Sequence, residues 1–219
     1  MEHKYLIVDR QEAMSCCLKY FLDQLTHTRE VVSATTMKMA YEVAFVNISV
    51  PSPFVIAFMD LQLPQYVERN LCNGEDLALL FRSKHPKTKI VFVLSEYTNE
   101  DLFRINKKIK PEGIIDRDDI KEESLLGHIE LIVSGGRYKS PTIENKLKGY
   151  SSYIPLFKSI DLQIIRLIEQ GITTKNIPNH LSITLSTVHK RKQRIKHILD
   201  IDHGNDEDIL RVCREKGIL

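Results

Sequence analysis

The sequence predicts a doubly wound parallel α/β domain followed by a small all-α domain, and three observations predict it. Short, nearly continuous apolar runs alternate with helical patterns over residues 4–134. That rhythm stops in a stretch rich in Gly, Ser, Pro and Lys at 134–155, and beyond it only helical periodicity remains. Alternation of this kind builds a parallel sheet covered on both faces.

At 219 residues the chain is long for one small domain and sufficient for two. A hydrophobic fraction of 42%, a charged fraction of 27% and a formal charge of +2 describe a soluble globular protein and exclude the disordered and fibrous classes. The longest apolar runs, such as FVIAFM at 54–59, fall far short of the roughly 18 residues that span a bilayer. The amino terminus carries no apolar stretch with a cleavage site. A cytoplasmic protein without a membrane partner is expected. Cys16, Cys17, Cys72 and Cys213 show neither a CxxC pair nor Cys/His ligand spacing, so no zinc site or disulfide framework is expected.

Five strands are predicted: YLIVD (5–9), EVVSA (30–34), FVIAFMD (54–60), KIVFVLS (89–95) and GIID (113–116). Helical patterns cover 11–26, 36–48, 73–84, 98–109 and 121–133. In the first, Met14, Leu18, Phe21, Leu22 and Leu25 recur at three- and four-residue steps and make one apolar face. The domain reading is therefore 1–133 for the α/β part, 134–155 for a linker and 156–219 for the helical part.

In open α/β sheets, sites collect beyond the carboxyl ends of the strands where the topology reverses. The residues there are Asp9 and Arg10, Asp60, Ser95 and Arg117. Singly, each is an ordinary cap or turn residue. Together, on these strands, they resemble the receiver domain of two-component response regulators, which has a flavodoxin-like five-stranded sheet. FMDLQLP matches the phosphoacceptor strand, with Asp60 as the acceptor, Ser95 at the Ser/Thr position and Arg117 at the lysine position.

In that chemistry two acids and the acceptor hold Mg²⁺, while a lysine and a hydroxyl take the phosphoryl oxygens. This chain departs from the pattern. The second metal-binding acid is Arg10, which cannot ligate a cation. Like-charge repulsion at 4 Å and an effective dielectric of 20 is about 4 kcal/mol, so Mg²⁺ is expected to bind poorly, with Asp9 and Asp60 as its remaining ligands. Arg117 is a planar fork in place of an ammonium, and the aromatic switch position is occupied by Ile114. The segment QYVERNLCN (65–73) lengthens the connection after Asp60.

Three readings of the pocket stand open. Arg10 takes the metal's place beside Asp60 and Asp9; or Arg10 swings into solvent and Asp60 is still weakly phosphorylated; or the domain has no signalling role.

The helical part contains SIDLQIIRLIEQG (159–171), TTKNIPNHL (173–181), TLSTVHKRKQRIKHIL (184–199) and NDEDILRVCREKGIL (205–219). Between Gln170 and Leu199 the charged residues are Lys175, Lys190, Arg191, Lys192, Arg194 and Lys196, with no Asp or Glu. A basic helix is usually a solvated face. Here a scaffold helix and a short helix precede it, the order of a helix-turn-helix, and the segment resembles the LuxR/NarL type over 156–219.

That resemblance puts base reading on His189, Lys190 and Gln193, and phosphate contacts on Thr187, Arg191, Arg194 and Lys175, near the start of the short helix. Pro178 interrupts the short helix where the family has a small residue. The resemblance implies that the last helix pairs two such domains on a two-fold axis; packing within the domain is the alternative for its apolar residues.

The expected function is a DNA-binding transcriptional response regulator, acting as a homodimer on double-stranded DNA and not as an enzyme. Its atypical receiver answers to a partner, a sensor histidine kinase or another regulatory protein, with weak or no phosphorylation. The alternative is a phosphorylation-independent interaction adaptor whose DNA binding has decayed. An aspartyl phosphatase of the haloacid dehalogenase type needs a second Asp where Gln62 stands.

Overall fold

The computed structural model describes residues 3–46 and 54–219, with residues 122 and 123 described by backbone alone. It divides into two compact units, Met1–Glu144 and Asn145–Leu219.

In the first unit the strands are β1 (His3–Val8), β2 (Thr28–Ala34), β3 (Phe54–Met59), β4 (Lys89–Leu94), β5 (Gly113–Asp116) and β6 (Tyr138–Lys139). They form one parallel sheet in the order β2-β1-β3-β4-β5-β6. The helices are α1 (Glu12–Leu22), α2 (Met37–Tyr41), α3 (Gly74–Lys84), α4 (Asn99–Lys108) and α5 (Glu122–Val133). A wider π turn, Glu42–Val46, extends α2, and the last residues of that expected helix, 47 and 48, lie outside the described residues.

Alternation in the strands sends successive side chains to opposite faces. Tyr5, Ile7, Ile56, Phe58, Val91, Val93 and Ile115 pack with Leu18, Phe21 and Leu22 of α1 and Leu125, Ile129 and Ile132 of α5. The residues between them, Leu6, Val8, Ala57, Met59, Ile90, Phe92 and Leu94, are also buried, as are Leu77, Ala78 and Phe81 of α3 and Leu102 and Ile105 of α4. Both faces are covered, which is why the strands read as unbroken apolar runs.

The sheet has six strands where five were expected. β6 lies in the stretch read as a linker and adds to the open edge of β5: the Tyr138 N–H donates to Glu112 O at 2.9 Å and the Ser140 N–H to Ile114 O at 3.0 Å. A two-residue strand carries no periodicity, so the signal was absent. What holds it is tertiary: Tyr138 stacks on His128 at 3.6 Å, and Ser140 Oγ accepts the Asp116 N–H at 3.0 Å. The rest of the supposed linker is α6 (Pro141–Tyr153), which runs across the division between the two units.

The second unit contains α7 (Ser159–Glu169), α8 (Leu185–Ile198) and α9 (Asp206–Glu215). Ile164, Ile165 and Ile168 of α7, Val188 and Ile195 of α8 and Ile209, Val212 and Cys213 of α9 share one core. Gly171 ends α7 at φ +79°, where its own N–H and that of Ile172 satisfy the carbonyls of Ile168 and Leu167.

Between α7 and α8 the short helix expected at 173–181 is reduced to a 3-10 turn, Ile177–Asn179, reached through bonded turns from Thr173. Pro178 is the reason. It lacks the N–H that would continue an α-helix and sits in the first positions of the tighter turn, where no such donor is needed.

Candidate functional site

The first site lies at the carboxyl ends of β1, β3 and β5, beside the point where the strand order reverses between β1 and β3. Asp9 and Asp60 leave adjacent strands, Asp60 donating its N–H to Val8 O at 2.9 Å. Both are out of solvent, at 2% and 0% exposure.

Arg117 opens the 3-10 turn after β5 and points into this acid pair. Its Nη2 lies 2.6 Å from Asp9 and 3.3 Å from Asp60, and its Nη1 donates to Gln11 Oε1 at 2.8 Å. Gln11 in turn donates its backbone N–H to Asp9 at 2.8 Å. Burial pushes the Asp9 carboxyl up against the pull of the Gln11 N–H and Arg117.

Arg10 lies beside Asp60 and reaches toward the rim. Its Nε is 3.8 Å from Asp60 and its Nη2 is 3.0 Å from Glu96 on the rim, with 36% of its side chain exposed. Arg10 follows β1 and stays partly exposed, whereas Arg117, opening the turn after β5, is nearly buried at 8%. The guanidinium that bridges the two acids is Arg117.

Ser95 is exposed after β4, and Ile114 is fully buried in β5. Two residues beyond Ser95, Tyr97 donates its hydroxyl in a short hydrogen bond to Asp116, the residue before Arg117. Burial and the neighbouring Asp116 carboxylate push the Tyr97 hydroxyl well above its ordinary pKa. Gln11, Glu96 and Asp116 were not singled out from sequence; their proximity to Asp9, Ser95 and Arg117 along the chain was the available signal.

The turn after Asp60 is constrained from α3. The Gly74 N–H donates to Leu61 O at 2.9 Å, and a Cβ on Gly74 would stand 2.0 Å from Asp60 O. The added segment 65–73 closes as a tight bridge, Tyr66 against Leu71, and docks on α2, with Arg69 4.9 Å over the Tyr41 ring.

Magnesium is the ion the receiver resemblance implies, and the donor set does not fit it. Asp60 Oδ2 accepts no hydrogen bond despite its two guanidinium neighbours. An added divalent ion there would nevertheless lie close to two fixed positive charges that already balance the two acids. No cluster of three or more metal-ligating side chains occurs among the described residues.

The second site is the outer face of α8. Thr184 caps it, accepting the Thr187 N–H at 3.3 Å, and its hydroxyl bonds those of Ser186 and Thr187 at 2.9 Å. His189, Lys190 and Gln193 are exposed together with Ser186 and His197 on one stripe, while Val188 and Ile195 point into the core. Lys175 is exposed in the preceding turn.

Arg191 and Arg194, expected at phosphate, are paired within the protein. Both reach Asp161 of α7, Arg191 at 3.4 Å and Arg194 in a shorter contact, and Arg194 also donates to Leu156 O at 3.0 Å. Asp161 is fully buried and accepts the Lys158 N–H at 2.8 Å as well. Its role as anchor was missed because an acid in a first helical turn reads as a cap.

The two units thus define a class: a parallel α/β domain with an acid pair at its strand ends, followed by a helix-turn-helix unit. No protein-family model and no curated protein matches the chain. Solved structures match over its whole length.

RcsB, in a structure of two dimers bound to two parallel DNAs, superposes with a TM-score of 0.68 at 15% identity, covering 100% of both chains. The RcsB response regulator of Salmonella typhimurium gives 0.67 at 14%, covering 97% of this chain and 100% of the other. The response regulator ChrA of a heme-sensing two-component system gives 0.52 at 17%, covering 100% and 99%. At these identities the likeness shows the fold. No helix among the described residues is long and apolar enough to cross a membrane.

Proposed function

We propose that this chain is a DNA-binding transcriptional response regulator whose receiver is set by partner binding, with weak or no phosphorylation at Asp60. One observation carries the reading: the Arg117 guanidinium lies within ion-pair distance of both Asp9 and Asp60. It neutralises the acids that a receiver otherwise offers to magnesium, and Arg10 adds a second positive charge beside Asp60. The input is a protein contact, from a sensor histidine kinase or another regulatory partner. The output is duplex DNA, read by α8 from a homodimer in the cytoplasm, without catalysis.

Two findings support the output half. The exposed stripe of α8 carries Gln193, a side chain able to pair with an adenine edge, beside the exposed cation Lys190. Several of the matching RcsB structures are DNA complexes, two of them bound to a promoter in the presence of the phosphomimetic BeF3⁻.

The test is to incubate the protein with Mg²⁺ and beryllofluoride and to measure adduct formation at Asp60 and the dimer fraction. No response is expected from the native chain, and recovery is expected in the double variant Arg10→Asp, Arg117→Lys. Robust adduct formation in the native protein sinks the atypical receiver and leaves DNA binding standing.

Pro178 favours a second reading, an interaction adaptor with decayed DNA binding, because the element that braces a recognition helix is here one 3-10 turn. Binding to mixed genomic fragments separates the two: retention only by protein partners favours the adaptor.

A further inference from the structure

The segment from Gln170 to Leu199 carries six cations and no acid, yet the fold does not present them alike. Arg191 and Arg194 are held by the buried Asp161. Lys192 pairs with Asp206 at the start of α9 and donates to Thr174 Oγ1 at 2.6 Å. Lys196 donates to Gly204 O at 2.5 Å. Lys175 and Lys190 are exposed.

We infer that Lys175 and Lys190 are the phosphate contacts of this segment, and that Asp161, Asp206 and the Gly204 carbonyl withhold the other four cations for holding α8 against α7 and the turn before α9. The inference rests on the DNA-binding reading above and assigns the charge chemistry of that same surface.

The physical case turns on Asp161. A carboxylate with no solvent contact depends on its cations, and removing them to an exposed phosphate would leave it buried and uncompensated. A single solvent-facing ion pair returns much less. Arg194 is the more firmly held of the pair, because the same guanidinium also donates to Leu156 O at 3.0 Å. Lys192 is bound at two points on the facing elements. Lys190 sits on the same exposed stripe as His189 and Gln193, so its ammonium reaches the duplex when those side chains do.

Salt dependence reads this directly, since each neutralised phosphate contributes a slope of about −0.9 in log K against log salt. Two contacts give about −2 per bound protomer from this segment, and six would give about −5. The experiment is a salt titration of full-length protein on duplex DNA at pH 8. It compares the native chain with Lys175→Gln, Lys190→Gln, Arg191→Gln and Lys196→Gln.

The expected result is a slope shallower by about one in each of the first two variants and unchanged in the last two, even where their affinity falls through weaker packing. A slope that drops as much in Arg191→Gln or Lys196→Gln as in Lys190→Gln overturns the assignment. Circular dichroism confirms that each variant is folded before its slope is read. Absence of duplex binding by the native chain at the lowest salt overturns the DNA reading itself, a result distinct from a wrong assignment among the cations.

Discussion

Arg117 places Nη2 2.6 Å from the Asp9 carboxylate, with only 8% of its own side chain and 2% of Asp9 reaching solvent. The same nitrogen is 3.3 Å from Asp60. One guanidinium therefore stabilises two buried carboxylates. Arg10, farther out and solvated, is secondary to it.

Removing the inner cation and the outer one should differ sharply. Arg117→Ala leaves buried Asp9 without its guanidinium and Asp60 with only the more distant Arg10, and is expected to cost about 3–5 kcal/mol. Arg10→Ala breaks contacts of a partly exposed side chain and is expected to cost below about 1 kcal/mol. Urea denaturation of both variants checks this; equal losses would show that Arg117 is not the dominant cation of the pocket.

Gly74 is the position where the turn after Asp60 leaves no room for a side chain, because an added Cβ would stand 2.0 Å from a backbone oxygen. Gly74→Ala must displace either α3 or the end of β3, a strain costing about 1–3 kcal/mol or more. Denaturation should show the loss, and NMR shifts should move at Asp60 and Leu61. An alanine variant of native stability would disprove the close approach.

Glu75 ties α3 to α4 through Lys108 at 2.9 Å and Arg104 at 2.7 Å. Burial raises its pKa, but the hydrogen bonds from Lys108 and Arg104 outweigh that and leave it below the ordinary 4.5. A depressed folded pKa stabilises the fold above the unfolded value, and that stability is lost as pH falls through the folded one. Unfolding free energy measured downward from pH 7 should therefore drop below about pH 4.5 in the native chain, and drop less steeply in Glu75→Gln. Parallel curves would exclude the pair as a source of acid lability.

Tyr97 and Asp116 link the segment after β4 to the residue preceding Arg117. Tyr97→Phe leaves the largely buried carboxylate short of one donor and is expected to cost about 1–3 kcal/mol. The accompanying sign is a shift of the Arg117 side-chain resonances. A silent substitution in both measurements would show that the hydroxyl does not brace the pocket.

Much of the fold was legible because its signals are local and periodic. Apolar runs at β1, β3 and β4 follow from burial on both faces, and the outward stripe of α8 follows from helical spacing of Val188 and Ile195. Asp9, Asp60 and Arg117 could be assembled as a set because parallel strands bring their carboxyl ends to one edge. β6 and the turn at Pro178 were not legible in the same way. A two-residue strand exists only because β5 has an open edge to receive it, and the 3-10 turn exists because proline removes a donor within bonded turns on either side.

The sequence alone determined which charges are available: acids at the strand ends, a guanidinium where a compact ammonium was expected, and a basic segment free of acids. Tertiary structure alone decided which of those charges are occupied. Arg117 rather than Arg10 bridges the acids, and Arg191 and Arg194 face Asp161, which lies 30 and 33 residues away along the chain. The reason is that pairing is set by burial and direction in space. Neither quantity is written in the identity or spacing of the residues themselves.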